Sequence, residues 1–357
     1  MWTQHTQVRF DGQDVYVGLD NAKRSWKVAI YLGDMFFQAF TQTPSPEALM
    51  HYLRHHFPGA RYHIVYEAGY FGFWIQRAFS QLGAECSVTN PADVPTTNKE
   101  RRGKNDRIDA NKLGRSYAHG ELHTIYVPDL AREEDRTLVR TRMRFVRKQT
   151  RTKCQIKALL CQFGYHLPED MTDRYWSRAY ISWLQGLTLT RASGTMAKDV
   201  LIQELLSLRK TIATMTLSIR HLAQEDPYRC PYDLLRTIGG IGPLAAMTLL
   251  TEIIDIARFK NLDRLCSFVG LIPDEKSTGD REYHTGITKR RNPVLQFILI
   301  ECAWMAIRSD PALAEAFQRY CTRMPSHQAI VRIARKLLNR IRFVLKNQAP
   351  YVSGVAA

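Results

Sequence analysis

The chain has 357 residues, enough to bury more than one core, and its 45% hydrophobic content is ordinary for a globular protein. No run approaches the roughly 18 apolar residues of a membrane span, and residues 1–9 lack the basic-then-apolar order of a secretory signal, so an intracellular protein with no membrane partner is expected. Fifty Lys and Arg against 34 Asp and Glu give a net charge of +16, an excess that suits a polyanionic partner, because basic groups displace the counterions condensed on phosphate backbones.

In chain order, Val15 to Asp20 (V-Y-V-G-L-D) and Trp26 to Leu32 (W-K-V-A-I-Y-L) read as strands joined by a tight connection, with Met35 to Phe40 a third. Pro44 to Phe57 has helical spacing behind a capping Ser45. Tyr62 to Tyr66 is a further strand, Phe71 to Leu82 a helix and Cys86 to Thr89 a strand. Three strands, a helix, then strand, helix and strand fit an α/β, RNase H-like sheet. Ala131 to Phe163 contains no Pro or Gly and reads as one long helix, and Ala197 to Leu222 as another. Together they form an expected helical hairpin or coiled-coil arm, with a helix around Tyr175 to Trp183 between them. Leu234 to Leu250 places helices on both sides of I-G-G-I-G, a helix-hairpin-helix pattern in which the backbone around Gly240 and Gly242 can hold a phosphate. A simple turn between packed helices would read the same way. Leu262 to Val269 and Val294 to Ile307 are expected helices, and the polar Asp274 to Thr288 a loop or hairpin. The domains so read are 1–128, 129–228 and 229–357.

Chemistry concentrates on four acids. Asp20 and Glu67 each end a predicted strand, and Asp106 and Asp109 stand at i and i+3 in K-N-D-R-I-D-A, on one side of a helix. Each alone has a structural explanation as a turn former, a cap or a solvated charge. Jointly they can converge on two Mg²⁺ or Mn²⁺ ions that hold a scissile phosphate, and acids so close require the positive charge. Basic residues cluster too. Lys99, Arg101, Arg102 and Lys104 precede the acidic pair, and Lys289, Arg290 and Arg291 follow the polar loop. Between residues 136 and 157 lie nine cations and no acid: Arg136, Arg140, Arg142, Arg144, Arg147, Lys148, Arg151, Lys153 and Lys157. A solvated helix would intersperse acids for i,i+4 pairing, so this face is expected to contact nucleic acid. The last basic helix, with Arg332, Arg335, Lys336, Arg340, Arg342 and Lys346, is expected to turn its apolar side to a core. Tyr70, Phe71, Phe73 and Trp74 follow Glu67 and read more readily as packing behind the sheet than as base stackers. The seven cysteines are odd in number and form no C-x-x-C pair, so neither a zinc ribbon nor a disulfide framework is indicated. His51, His55 and His56 approach metal-ligand spacing, with an ordinary helix face the better reading.

V-G-L-D-N-A-K, V-Y-E-A-G-Y and K-N-D-R-I-D-A, in this order, resemble the DEDD transposases of bacterial insertion sequences, the IS one-ten family. I-G-G-I-G-P-L-A-A, R-F-K-N, F-V-G-L-I-P, S-T-G and I-T-K resemble that family's second domain. The resemblance implies a RuvC-like DEDD domain, a coiled-coil arm and a transposase domain. It also implies a homo-oligomer (dimer or tetramer) acting at the bacterial nucleoid in the cytoplasm, guided by a structured bridge RNA that pairs with donor and target DNA. Carried over, Asp20, Glu67, Asp106 and Asp109 are metal ligands, and a serine of the second domain attacks the phosphate. The family places that serine directly before Gly, where this chain has Thr278, with Ser277 one residue earlier. A β-branched alcohol is the poorer nucleophile on steric grounds, which favours Ser277. Arg291 and Gln296 also depart from the pattern, which more often has Gly and a basic residue there. Two other readings remain open: a RuvC-like nuclease using water as nucleophile, and a nucleic-acid-binding scaffold without chemistry.

Overall fold

A computed structural model describes residues 9–95, 106–166, 168, 175–278, 281–288 and 290–353, with backbone alone at 106–108, 273–278 and 281–287. The chain divides into two units, residues 1–127 and 128–357.

In the first unit a five-stranded sheet is built from β1 (Asp14–Asn21), β2 (Trp26–Leu32), β3 (Met35–Gln42), β4 (Arg61–Glu67) and β5 (Glu85–Thr89), in the order β3-β2-β1-β4-β5. β1 to β3 form an antiparallel meander, whereas β1, β4 and β5 run parallel. Gly33, at φ +54°, makes the tight turn between β2 and β3, a conformation that suits glycine. The parallel connections run through α1 (Pro46–His56) and α2 (Trp74–Gln81). Ser45 starts α1 as anticipated, its hydroxyl accepting the Ala48 amide at 3.1 Å.

Strand alternation separates two faces. Val15, Val17, Leu19, Ile64 and Tyr66 pack with Leu49 and Leu53 of α1 and Ile75 and Phe79 of α2. The opposite face is covered by α3 (Asp106–Ala118): Val65 packs with Leu113, and Ala29 and Tyr31 with Ala110. The aromatics after Glu67 divide against expectation. Phe71 and Phe73 pack on the core, but Tyr70 is 94% exposed and Trp74 45%. The segment thus packs two of its four aromatics against the core and leaves Tyr70 and Trp74 exposed.

Among its described residues the regular structure of the second unit is helical apart from one hairpin. α4 (Leu130–Gln162) is the long helix anticipated, capped by Asp129, and packs against α6 (Ala192–Leu222). α5 (Arg178–Gly186) closes the distal end, where Ile156, Leu160, Tyr180, Leu184, Ile202 and Leu205 form a small core. There the buried Lys198 donates to the Leu184 carbonyl at 2.6 Å, satisfying the end of α5. At the other end Val139 and Ile219 join the main core. That core is shared by α7 (Arg229–Arg236), α8 (Pro243–Ile253), α9 (Leu262–Val269), α10 (Pro293–Ser309), α11 (Pro311–Cys321) and α12 (Ser326–Asn347). The arm therefore has no core of its own at its base. The polar stretch after α9 is an antiparallel hairpin, β6 (Pro273–Thr278) with β7 (Arg281–Ile287). α12 buries Ile333, Leu337, Leu338 and Ile341, as its periodicity required. All seven cysteines are free thiols, and no helix among the described residues is long and apolar enough to cross a membrane.

Candidate functional site

The register of β1 on β4 places the first two acids. Leu19 pairs with Tyr66, so Asp20 and Glu67 are the next residues on two adjacent parallel strands. Neighbouring strands lie about 4.8 Å apart. Leu19 and Tyr66 face the α1–α2 core; by alternation, Asp20 and Glu67 face the other side, that of α3.

Two glycines determine how α3 crosses that face. A Cβ on Gly18 would sit 2.1 Å from the Ala110 carbonyl oxygen and 2.3 Å from the Gly114 amide nitrogen. A Cβ on Gly114 would meet the Tyr31 ring at 2.9 Å. Helix and strand thus touch backbone to backbone, a use of glycine inside regular structure that signals close approach. The Tyr16 and Tyr117 rings meet edge to face 5.8 Å apart, while Gly18 meets Ala110 and Gly114. The helix therefore runs antiparallel to β1, and its first turn lies toward the strand ends that carry Asp20 and Glu67. Asp109 belongs to that turn and is half-buried; the Asp106 side chain lies outside the described residues. Lys112, buried one turn on, was not singled out in the sequence.

This donor set suits a hard divalent cation: the groups are carboxylates, and two of them share one register step on one face. Among the described residues no three His, Cys, Asp or Glu side chains are assembled as a complete ion site, and the fourth acid is not among the described side chains. The His56 ring packs on Tyr52, 4.2 Å away, and among the described residues His51, His55 and His56 form no ion-site grouping.

In the second unit, Ser277 and Thr278 lie on β6, opposite Glu282 and Arg281; their side chains lie outside the described residues, as does Lys289. Around the base of this hairpin the packing is close. The Thr288 amide donates to the Ile272 carbonyl at 3.1 Å, and the Asn292 amide to the Phe268 carbonyl at 3.1 Å. Gly270 ends α9 at φ +88°, with Arg291 against the space a Cβ would take. Asn292 caps α10 through its carbonyl oxygen, and its Nδ2 donates to Glu252 Oε2 at 2.8 Å. Glu252, wholly buried, also accepts Arg140 Nε and Nη2 at 2.6 and 2.7 Å. One carboxylate thus joins the arm (α4), the core (α8) and the segment that follows the hairpin. The unusual Arg291 and Gln296 meet each other: Arg291 Nη1 donates to Gln296 Oε1 at 2.7 Å, and Gln296 Nε2 donates to the Gly270 carbonyl at 2.7 Å.

The nine cations of α4 separate by face. Arg144, Arg147, Lys148 and Arg151 are exposed and recur at three- and four-residue steps, so they form one stripe. Arg140 is held by Glu252, and Arg142 donates to Thr216 on α6 at 2.7 Å, its burial lowering its pKa. Lys153 and Lys157 lie over the rings of Trp176 and Tyr175. Arg136 is half-buried and Arg290 exposed, whereas Lys99, Arg101, Arg102 and Lys104 lie outside the described residues. In the turn before α8, Gly240 adopts φ +91° and presses on α10, where a Cβ would meet the Ala306 nitrogen at 2.6 Å. Gly240 therefore serves packing, while Gly242, the cap of α8, opens on free space.

Two family profiles match this chain. One, described as Transposase IS116/IS110/IS902 family, matches residues 232–318, and the DEDD transposase profile of the IS110 type matches residues 17–164. Among similar proteins, y4qE of Sinorhizobium fredii, described by name as a transposase, is 31% identical over 242 residues, 68% of this chain and 58% of that protein. The similarly named y4rJ of the same organism is 29% identical over 77% of this chain and 74% of its own length. The transposase for insertion sequence element IS1111A of Coxiella burnetii is 26% identical over 65% of this chain and 62% of its own length. The aligned region spans less than two thirds of the first and third of these relatives.

Proposed function

We propose, from the fact that this chain belongs to the IS110-type DEDD family of insertion-sequence transposases, that it cuts and rejoins DNA at the ends of such an element. On this reading the first unit is an RNase H-like (RuvC-like) catalytic domain, α4 and α6 are a coiled-coil arm, and the helices after it form the transposase domain. The observation that carries the reading is the matched register of Asp20 and Glu67 beneath a helix held down at Gly18 and Gly114.

Asp20, Glu67 and Asp109, with Asp106, would hold two Mg²⁺ or Mn²⁺ ions, which when bound supply positive charge to a phosphate undergoing substitution. The chain's own contribution is to set the carboxylates on rigid strand ends and a clamped helix. The hydroxyl of Ser277, or of Thr278 next to it, attacks phosphorus. A serine oxygen–phosphorus bond forms, one bridging phosphorus–oxygen bond of the DNA breaks, and the departing sugar oxygen takes up a proton. The bond energy is kept in the phosphoserine, so a sugar hydroxyl of another strand can reverse the step and rejoin the DNA. The stripe of Arg144, Arg147, Lys148 and Arg151 would hold a phosphate backbone, with the Gly242 turn, Lys289 and Arg290 as further contacts. Donor and target DNA, a guide RNA and further copies of the chain are the partners this reading carries.

The test is to express the protein beside its element, lyse the cells in denaturant and sequence DNA still attached to protein, for wild type, Ser277→Ala, Thr278→Val and Asp20→Ala. Attached DNA that disappears in one hydroxyl variant and in Asp20→Ala is the expected result and names the nucleophile. DNA processing without attached DNA would make the enzyme a hydrolytic nuclease. No processing by any version would leave a binding scaffold.

A further inference from the structure

The rim of the acid site carries groups that the chemistry above does not use. Tyr70, three residues past Glu67, is 94% exposed, and the loop that presents it is well fixed. The Tyr66 hydroxyl donates to the Gly72 carbonyl at 2.9 Å, and the Ala68 amide to the Thr89 carbonyl at 2.8 Å. Tyr70 itself rests edge-on against Phe71, 5.6 Å away. A ring left in water on a fixed loop beside the acids is available to stack on a base. Three residues span at most about 11 Å, so the ring belongs to the neighbourhood of Glu67.

The adjoining β1–β2 turn supplies matching polar groups. Trp74, at the start of α2, lies 6.2 Å from Trp26, the first residue of β2, so the loop after β4 and the turn after β1 are neighbours. On that turn Lys23 and Arg24 are exposed. An exposed ring and two exposed cations beside two carboxylates have the chemistry of a nucleotide site.

We propose that Tyr70 is a base-stacking residue of the acid site. It receives an unstacked nucleobase of the DNA strand whose phosphate lies at Asp20 and Glu67, while Lys23 and Arg24 hold adjoining phosphates. The inference rests on the reading that these acids act on DNA. It makes Tyr70 a substrate-binding group that registers the strand, so that the phosphate presented to the acids is set by which base occupies the ring.

The experiment uses the full chain isolated from cells that carry its element. In an Asp20→Ala background, where binding is read without cutting, 5-iododeoxyuridine is placed in turn at thymines near the element's ends and irradiated. The expected result is a cross-link to Tyr70 from one position. In the otherwise wild-type protein, Tyr70→Ala should lower DNA processing roughly 10- to 100-fold, the range for removing one stacking ring. Tyr70→Phe should stay within a few-fold of wild type, and the thermal midpoint should not move in either. Processing by Tyr70→Ala at the wild-type level, or cross-links only to other residues, overturns the inference while Asp20→Ala remains inactive. If Asp20→Ala itself processes DNA normally, the reading of the acid site fails and this inference with it.

Discussion

Replacing Gly18 by Ala tests the crossing on which the acid site depends. The added methyl would lie 2.1 Å from the Ala110 carbonyl oxygen and 2.3 Å from the Gly114 nitrogen, where ordinary contact begins at 3.4 Å. Both are backbone atoms of α3, so no side chain can swing aside, and the helix itself must lift by about 1 Å. Such overpacking costs about 1–3 kcal/mol. The functional loss should be larger, because Asp109 adjoins Ala110 and rides with the helix, and a 1 Å misplacement of a reacting group can cost about 100-fold in rate. Gly186→Ala is the control, since a Cβ there meets nothing within 4 Å. Urea unfolding of the purified proteins reads the stability, and the yield of protein-attached DNA reads the chemistry. If Gly18→Ala unfolds and reacts like wild type, α3 does not cross β1 this closely and the crossing does not gather the acids.

Glu252→Ala should destabilise the second unit by about 2–4 kcal/mol in chemical denaturation, somewhat below the range for breaking a fully buried pair because the Arg140 side chain is 39% exposed. A change under about 1 kcal/mol would mean that the carboxylate does not join the arm to the core. Reversing Arg144, Arg147, Lys148 and Arg151 to Glu should weaken nucleic-acid binding and flatten the dependence of log K on log salt by about 0.9 for each duplex phosphate that is no longer neutralised. An unchanged slope would show that the stripe meets no phosphate. Arg140 is left out of that set because its reversal would place two carboxylates together in the core.

Much of this architecture was legible because it is local. The short β-branched and aromatic runs Val15 to Asp20 and Tyr62 to Tyr66 showed the strands, the Pro- and Gly-free run after Ala131 showed the long helix, and the Ser45 cap fell where expected. What escaped were facts that depend on residues far apart in the chain. The cations between 136 and 157 looked unpaired because no acid is near in sequence, yet Arg140 finds Glu252 across 112 positions. Gly240 was read for its backbone alone, and its packing on α10, where a Cβ would meet the Ala306 nitrogen at 2.6 Å, depends on a helix far along the chain. Gly18 and Gly114 carried a readable signal, a glycine inside a strand and another inside a helix, that was not used. α11 was signalled by Asp310 before Pro311, a cap followed by a proline at the first helical position, and the Asp310 carboxylate does accept the Leu313 amide. Tyr70 could not have been told from Phe71 or Phe73 by composition, since all four aromatics share one short segment and only the path of the loop separates them.

The contact between Arg291 and Gln296 bears on how such a protein can change over time. Each residue is unusual by itself, yet they meet: the guanidinium donates a hydrogen bond to an amide oxygen that would otherwise face a closed interior. Loss of Arg291 alone would leave the buried Gln296 oxygen without this donor, whereas loss of Gln296 would leave the exposed Arg291 to water. The dependence therefore runs one way, from Gln296 to Arg291. A helix start that carries Gln296 into a related element should therefore bring Arg291 with it.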